Sequence, residues 1–230
     1  TYPRSTFYDY FDDIYDLMDY CWIAIMKDMD MEKCFFGEGA IKQRGSITGG
    51  LLFAWQCRKG GSQKMILYFS ATGNGKYIAE QIAEKTDEKC MSIVDCIRED
   101  KYCFSNEKIF GMVVPTYFWR LPRIVAEYLG KLRIENCGYT FFLASYGTTT
   151  GEAGSMAKKI MAHNGQNFDA YYSVIMPDTW TPVFDLTNKN RVDKWLSDGK
   201  KQLKLVIGNI MSKRKGNFVD RKLYSRKPEL

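Results

Sequence analysis

From Met65 onward, short apolar runs alternate regularly with segments of helical periodicity. Five runs have the composition of buried strands: MILYFS, CMSIVD, KIFGMVVPTY, YTFFLASYG and AYYSVIMP. Four segments between or after them have helical spacing: NGKYIAEQIAEKT, PRIVAEYLGKL, GEAGSMAKKIMAH and NKNRVDKWLSDGKKQLKLVIGNIMSKR. Near-continuous apolar strands that alternate with helices indicate a parallel sheet with helices on both faces. We therefore predict a three-layer α/β/α fold with five parallel strands.

Residues 1–64 do not continue this alternation. The run FYDYFDDIYDLMDYCWIAIMKDM can form an amphipathic helix, but GEGAIKQRGSITGG is typical of a loop. The stretch KGGSQKM can be encoded by a purine-rich ribosome-binding site followed by an ATG codon for Met65. We expect residues 1–64 to be translated upstream sequence and residues 65–230 to be the native, ligand-binding domain. The alternative is a genuine N-terminal extension that packs on the sheet or on a partner.

Composition excludes several classes of function. Apolar runs such as Cys21 to Met26 are far shorter than the roughly 20 residues of a membrane-spanning helix, and no secretory leader is visible. We expect a cytoplasmic protein that does not associate with a membrane. Seven cysteines without a CxxC pair argue against a zinc or iron–sulfur site, so no metal is expected.

Positive charge is concentrated near the C-terminus. Residues 199–230 contain ten Lys or Arg and two Asp or Glu. Such a segment can attract an acidic protein, RNA or a membrane surface, or can simply be a solvated helix end. No aromatic platform accompanies the charge, and we therefore expect no nucleic-acid partner.

The turn FSATGNGKYIAE, between the first strand and the first helix, has the composition of an anion-binding nest. An ATP loop of the Walker A type is disfavoured, because Ser70 occupies the first glycine position and Tyr77 replaces the magnesium-binding hydroxyl. A dinucleotide fingerprint also fails, since Ile78 stands where the third glycine belongs. The remaining interpretation is a nest for the phosphate of flavin mononucleotide (FMN).

The segment SATGNGK resembles the phosphate loop of flavodoxins, [ST]-x-T-G-N-[ST], and departs from it at Gly75, where the family usually has a hydroxyl. Further along, PTYFWRLP, ASYGTTTGEAG and MPDTWTP are similar to the loops that follow later strands in the same family. The chain looks most like the flavodoxin half of flavodoxin plus ferredoxin fusion proteins of anaerobic bacteria. Their ferredoxin run, CxxCxxCxxxCP, is absent. We expect no cluster-mediated transfer within this chain.

The resemblance implies a flavodoxin-like sheet of order 2-1-3-4-5 with FMN as the cofactor. It implies an electron carrier without catalytic residues, whose redox partners are proteins such as a ferredoxin or a flavoprotein reductase. Residues 65–230 would then be the FMN-binding domain. The cofactor-binding residues carried over are Ser70, Ala71, Thr72, Gly73, Asn74, Gly75, Pro115, Thr116, Tyr117, Phe118, Trp119, Arg120, Ser145, Tyr146, Gly147, Thr148 and Gly151.

Aromatic residues of these loops are candidates to stack on the flavin ring. Three consecutive ones, Tyr117 to Trp119, are expected on one face of the ring and Tyr146 on the other, with Trp180 as a further candidate. Arg120 stands where relatives often have glycine. It would resist a backbone flip if that position needs a positive φ, or would attract negative charge on the reduced ring; a solvent-facing arginine is the alternative.

Two other functions remain open from the sequence. One is an NAD(P)H-dependent flavin or quinone reductase of the same fold. The other is an interaction module without flavin, for which Gly75 is the one hint.

Overall fold

A computed structural model describes residues 65–179 and 186–219. The chain separates into two units, residues 1–59 and 60–230, and every described residue belongs to the second. The predictions made for residues 1–64, for Trp180 and for residues 220–230 fall outside the described residues. The N-terminal extension and the native start at Met65 stay predictions.

The described residues alternate strands and helices along the chain. The strands are β1 (Met65–Tyr68), β2 (Lys89–Ser92), β3 (Cys103–Ser105), β4 (Phe110–Pro115), β5 (Arg133–Glu135), β6 (Thr140–Tyr146), β7 (Ala170–Ile175) and β8 (Gly216–Phe218). The helices are α1 (Asn74–Thr86), α2 (Ile93–Arg98), α3 (Arg123–Lys131), α4 (Ala153–His163) and α5 (Lys189–Met211). In neither described range is a helix both long and apolar enough to cross a membrane.

The main sheet has the order β2-β1-β4-β6-β7-β8, with every pair of neighbours parallel. Its first five strands reproduce the expected flavodoxin-like order 2-1-3-4-5. The sheet nevertheless has six strands rather than five. The chain adds β2 on one side of β1 and then crosses over to add β4 on the other side. The topological switch point therefore lies between the carboxyl ends of β1 and β4, where open α/β sheets bind ligands.

Alternate side chains of the central strands pack on opposite faces of the sheet. Ile66 and Val113 belong to one apolar cluster, which α1 and α5 cover, whereas Leu67 and Met112 belong to the other, which α2, α3 and α4 cover. Both clusters consist largely of fully buried side chains. This arrangement confirms the three-layer α/β/α architecture, in which the described helices cover both faces of the sheet.

The described residues differ from the predicted alternation in three places. The run CMSIVD is strand only as far as Ser92, because the Ser92 hydroxyl accepts a hydrogen bond from the backbone N–H of Val94 at 3.2 Å and caps α2. The link after α2 contains β3, which pairs with β5 in a separate two-stranded sheet. The third difference is β8, whose sequence GNF has no apolar run to predict a strand.

Candidate functional site

Four loops meet at the carboxyl edge of the main sheet. They follow β1, β4, β6 and β7, and their described parts are residues 69–73, 116–122, 147–152 and 176–179. All the cofactor-binding residues expected from the sequence lie in the first three loops or in the strand and helix ends beside them. The fourth loop belongs to the segment MPDTWTP, which resembles a flavodoxin loop, but none of residues 176–179 was among the expected cofactor-binding residues.

The first loop exposes backbone donors at the start of α1. Gly73 has a φ of 96°, its N–H donates to the Ser70 hydroxyl at 3.1 Å, and its carbonyl accepts from Tyr77 N–H at 2.9 Å. The N-cap residues of α1, α3 and α4 form no side-chain cap, whereas Ser92 caps α2 and Asn188 caps α5. Backbone N–H groups of the first turn of α1 therefore remain available at the positive end of the helix, as an anion requires.

Close packing explains the glycine at position 75. A Cβ added to Gly75 would lie 2.6 Å from the carbonyl oxygen of Phe69 and 3.3 Å from Cβ of Ser70. Real side chains do not tolerate the first of these distances, and the atom in the way belongs to the backbone. The start of α1 therefore lies too close to the end of β1 for a side chain at position 75, and the hydroxyl that flavodoxins usually have at this position cannot be accommodated.

Residues from beyond β7 reach the first loop. The side-chain amide of Asn74 donates to the carbonyl oxygen of Pro177 at 3.1 Å, and the hydroxyls of Thr179 and Thr72 lie 3.3 Å apart. These contacts join positions more than a hundred residues apart. Since β7 is three strands away from β1, no local pattern in the sequence could have predicted them.

The second loop forms a tight aromatic turn. The N–H of Tyr117 donates to the carbonyl of Arg120 and the N–H of Arg120 donates to the carbonyl of Tyr117, both at 2.9 Å. The two residues between them, Phe118 and Trp119, have φ values of 46° and 63°. This is the backbone of a type I′ turn, which normally selects Asn-Gly. Two bulky side chains in left-handed conformations store strain, and such strain is typical of functional sites.

Exposure separates the aromatic candidates. Phe118 and Trp119 are 40% and 49% exposed, whereas Tyr146 is 5% exposed at the end of β6. Phe118 and Trp119 thus present accessible surface to a ligand, whereas Tyr146 presents almost none. The positive φ values fall at Phe118 and Trp119 and not at Arg120, so the condition under which Arg120 would resist a backbone flip is not met in this conformation.

The second and third loops interlock. The backbone N–H of Glu152 donates to the carbonyl of Trp119 at 2.7 Å, and the backbone of Gly151 lies so close to Trp119 that any Cβ at position 151 would collide with it. Beneath the turn, the N–H of Thr116 donates to the carbonyl of Ser145 at 2.8 Å. The carboxylate of Asp178 packs directly on the backbone of Gly147, which brings the fourth loop against the third. All four loops are therefore in contact.

One hydroxyl at this edge lacks a protein partner. Oγ1 of Thr116 is buried and forms no hydrogen bond with any described residue. A buried hydroxyl left in this state costs free energy unless a ligand satisfies it. Together with the available N–H groups of α1 and the exposed aromatic turn, it gives the edge an anion site, a polar contact and an aromatic surface. These three elements fit the phosphate, the polar ring edge and the ring face of FMN.

Comparison with known proteins gives a family. The family model described as Flavodoxin domain matches residues 65–204, which is more than half of the chain. No curated protein matches the chain.

Solved structures include similar chains at low identity. A flavoprotein from Bacteroides uniformis is 15% identical, with 60% of this chain and 99% of that chain covered and a TM-score of 0.39. The two-electron reduced flavodoxin of Megasphaera elsdenii is 16% identical, with 48% and 84% covered and a TM-score of 0.36. A flavoprotein of Lactobacillus acidophilus in complex with FMN is 16% identical, with 59% and 99% covered and a TM-score of 0.37.

Proposed function

The chain belongs to the flavodoxin family, and from this premise we propose that it binds FMN and carries electrons between redox partner proteins. The observation that supports this most is the convergence of an uncapped helix start, an orphaned buried hydroxyl and a strained aromatic turn at one sheet edge. The buried hydroxyl and the strained turn cost free energy in the protein alone. A phosphorylated aromatic cofactor would bring an anion to the helix start, a hydrogen-bond partner to the hydroxyl and a ring to the aromatic turn.

The first loop holds the phosphate. Ser70 orients Gly73 by accepting its N–H, and Asn74 begins the helix whose first-turn N–H groups point toward the anion. Ala71 and Thr72 form the outer part of the same loop. No lysine or arginine is required, since the amide dipoles and the helix end supply the positive potential.

The second and third loops hold the ring. Trp119 and Phe118 provide apolar surface that excludes water from one ring face, and the interlock with Gly151 fixes the turn. Thr116 offers its hydroxyl to the polar edge of the ring. When bound, FMN supplies one- or two-electron redox chemistry, and the protein sets its potentials through stacking, hydrogen bonds and nearby charge.

Partners of this carrier would be proteins such as a ferredoxin or a flavoprotein reductase. Its expected cytoplasmic location stays a prediction. The competing function is that of an NAD(P)H-dependent flavin or quinone reductase.

The two functions differ in one assay. The FMN-loaded chain is mixed with NADH or NADPH and a quinone, and separately with a chemically reduced ferredoxin. A carrier takes electrons from the reduced ferredoxin and does not turn over NAD(P)H. Sustained NAD(P)H oxidation would instead support the reductase, and a chain that exchanges electrons with neither donor would contradict both.

A further inference from the structure

The phosphate nest has a hydroxyl that does not come from its own loop. Position 75 cannot carry one, because its Cβ would lie 2.6 Å from the Phe69 carbonyl oxygen. The hydroxyl of Thr179, on the segment after β7, lies 3.3 Å from the hydroxyl of Thr72 in the nest. We propose that Thr179 donates a hydrogen bond to the phosphate of the bound flavin and so replaces the missing hydroxyl at position 75. This inference rests on the proposed FMN binding.

A second contact holds Thr179 in reach of the nest. The Asn74 side chain donates to the carbonyl oxygen of Pro177 at 3.1 Å, two residues before Thr179. Asn74 is also the first residue of α1, whose N–H groups form the nest. The segment 177–179 is thereby attached to the element that binds the anion, and Thr179 is half-buried beside it.

The hydroxyl groups of Thr72 and Thr179 can both donate hydrogen bonds to an anion bound between their loops. A hydroxyl carries one hydrogen that rotates to the best acceptor, and a phosphate offers acceptors only. At 3.3 Å, the contact between the two hydroxyls is long for an O–H···O hydrogen bond, so little is lost when Thr179 turns its hydrogen to a phosphate oxygen. The charge of the phosphate makes the new hydrogen bond the stronger one.

Loss of the Thr179 hydroxyl should therefore weaken the binding of a flavin that carries a phosphate and leave the binding of one without it unchanged. Thr179→Val keeps the shape of the side chain and removes the hydroxyl, so FMN affinity falls on the order of 10- to 100-fold, as expected for a hydrogen bond to a charged group. Affinity for riboflavin, which has the same ring and no phosphate, is unchanged. Thr179→Ser retains the hydroxyl and keeps the wild-type affinity for both ligands.

The test measures dissociation constants of the full chain for FMN and riboflavin by quenching of flavin fluorescence. Variants are Thr179→Val, Thr179→Ser and, as a matched control, Thr187→Val on the same connection. The expected result is a loss confined to the FMN affinity of Thr179→Val, while Thr187→Val resembles wild type.

Two results would overturn the proposal while FMN binding by the wild type stands. One is an unchanged FMN affinity in Thr179→Val. The other is an equal loss of FMN and riboflavin affinity, which would assign Thr179 to the support of the loop instead of the phosphate. Failure of the wild type to bind either flavin would overturn the proposed function itself and this inference with it.

Discussion

The backbone N–H of Glu152 donates a 2.7 Å hydrogen bond to the carbonyl oxygen of Trp119, and this contact joins the two loops that would enclose the flavin ring. Gly151, immediately before Glu152, has a φ of 48° and packs on the backbone of Trp119. The aromatic turn is therefore held from outside by a position where only glycine fits. Its geometry depends on the third loop as much as on its own sequence.

Gly151→Ala tests this interlock. The added methyl group meets both a disfavoured φ and the Trp119 backbone, so the free energy of unfolding should fall by about 2–3 kcal/mol and FMN affinity should weaken. Chemical denaturation and FMN titration measure the two effects. Gly165→Ala is the matched control, because Gly165 has a φ of 71° with nothing within 4 Å of its added Cβ. It should cost only about 1 kcal/mol and leave FMN affinity unchanged; equal effects of the two variants would refute the interlock.

Relieving the backbone strain in the aromatic turn should stabilise the flavin-free chain and weaken its binding of FMN. The double replacement Phe118→Asn and Trp119→Gly supplies the residues that a type I′ turn prefers, so the flavin-free chain should gain about 1 kcal/mol of unfolding free energy. The same replacement removes the exposed aromatic surface, and FMN affinity should drop at least tenfold. Lys213→Gly relieves a similar φ of 53° in the turn after α5 and should alter stability alone. Unchanged FMN affinity in the double variant would show that the aromatic turn does not contact the flavin.

Thr116→Val should have opposite effects on the free and the bound protein. Replacing a buried hydroxyl without a partner by a methyl group is neutral or stabilising by up to about 1 kcal/mol, whereas FMN loses one hydrogen bond and about tenfold in affinity. Thr140→Val is the contrasting variant. Its hydroxyl exchanges hydrogen bonds with Asp169, so its loss should destabilise the chain without affecting FMN. Destabilisation by Thr116→Val would mean that this hydroxyl already has a partner.

The edge strand β8 should give stability a defined pH dependence. Burial raises the pKa of Asp169, but the hydrogen bond from Lys215 and those from Thr140 outweigh it and hold the pKa below its ordinary value of 3.8. Lys215 lies 2.8 Å from the Asp169 carboxylate and directly precedes β8. A depressed carboxyl pKa contributes stability above the unfolded value, and this contribution is lost as the pH falls through the folded value.

Asp169→Asn should therefore lower the unfolding free energy by about 1 kcal/mol at pH 7, because the ion pair is partly exposed. The difference from wild type should shrink as the pH falls from about 5 toward 3. Denaturant unfolding at several pH values measures it. A difference that stays constant across this range would contradict the assignment of the ion pair to β8 stability.

Much of the architecture could be predicted because its signals are local. Strands such as β4 and β6 are continuous apolar runs, and four of the helices carry clear helical periodicity, so the layers followed. The strand order came from the resemblance to flavodoxins. The strand β8 could not be predicted, since its three residues are held by Lys215 and by stacking of Phe218 on Tyr172 at 5.3 Å. Those are tertiary contacts, and a single sequence does not display them.

The candidate site likewise has features with a local sequence signal and features that depend on tertiary contacts. The composition and position of the first loop predicted an anion-binding nest, and the resemblance to flavodoxins predicted that the aromatic loop contacts the flavin ring; both roles stay predictions. The positive φ values of Phe118 and Trp119 were not predicted, because turns of this type usually contain Asn or Gly and neither is present. The contact of Thr179 with Thr72 was also missed, since 107 residues separate the two positions.

A calorimetric titration of the flavin-free full chain with FMN tests directly whether the chain is a flavoprotein. We expect saturation at about one FMN per chain, with a dissociation constant on the order of 1 μM or tighter. Riboflavin should bind more weakly, because it lacks the phosphate that the start of α1 would hold. Absence of FMN binding, or equal affinities for FMN and riboflavin, would contradict the proposed FMN site.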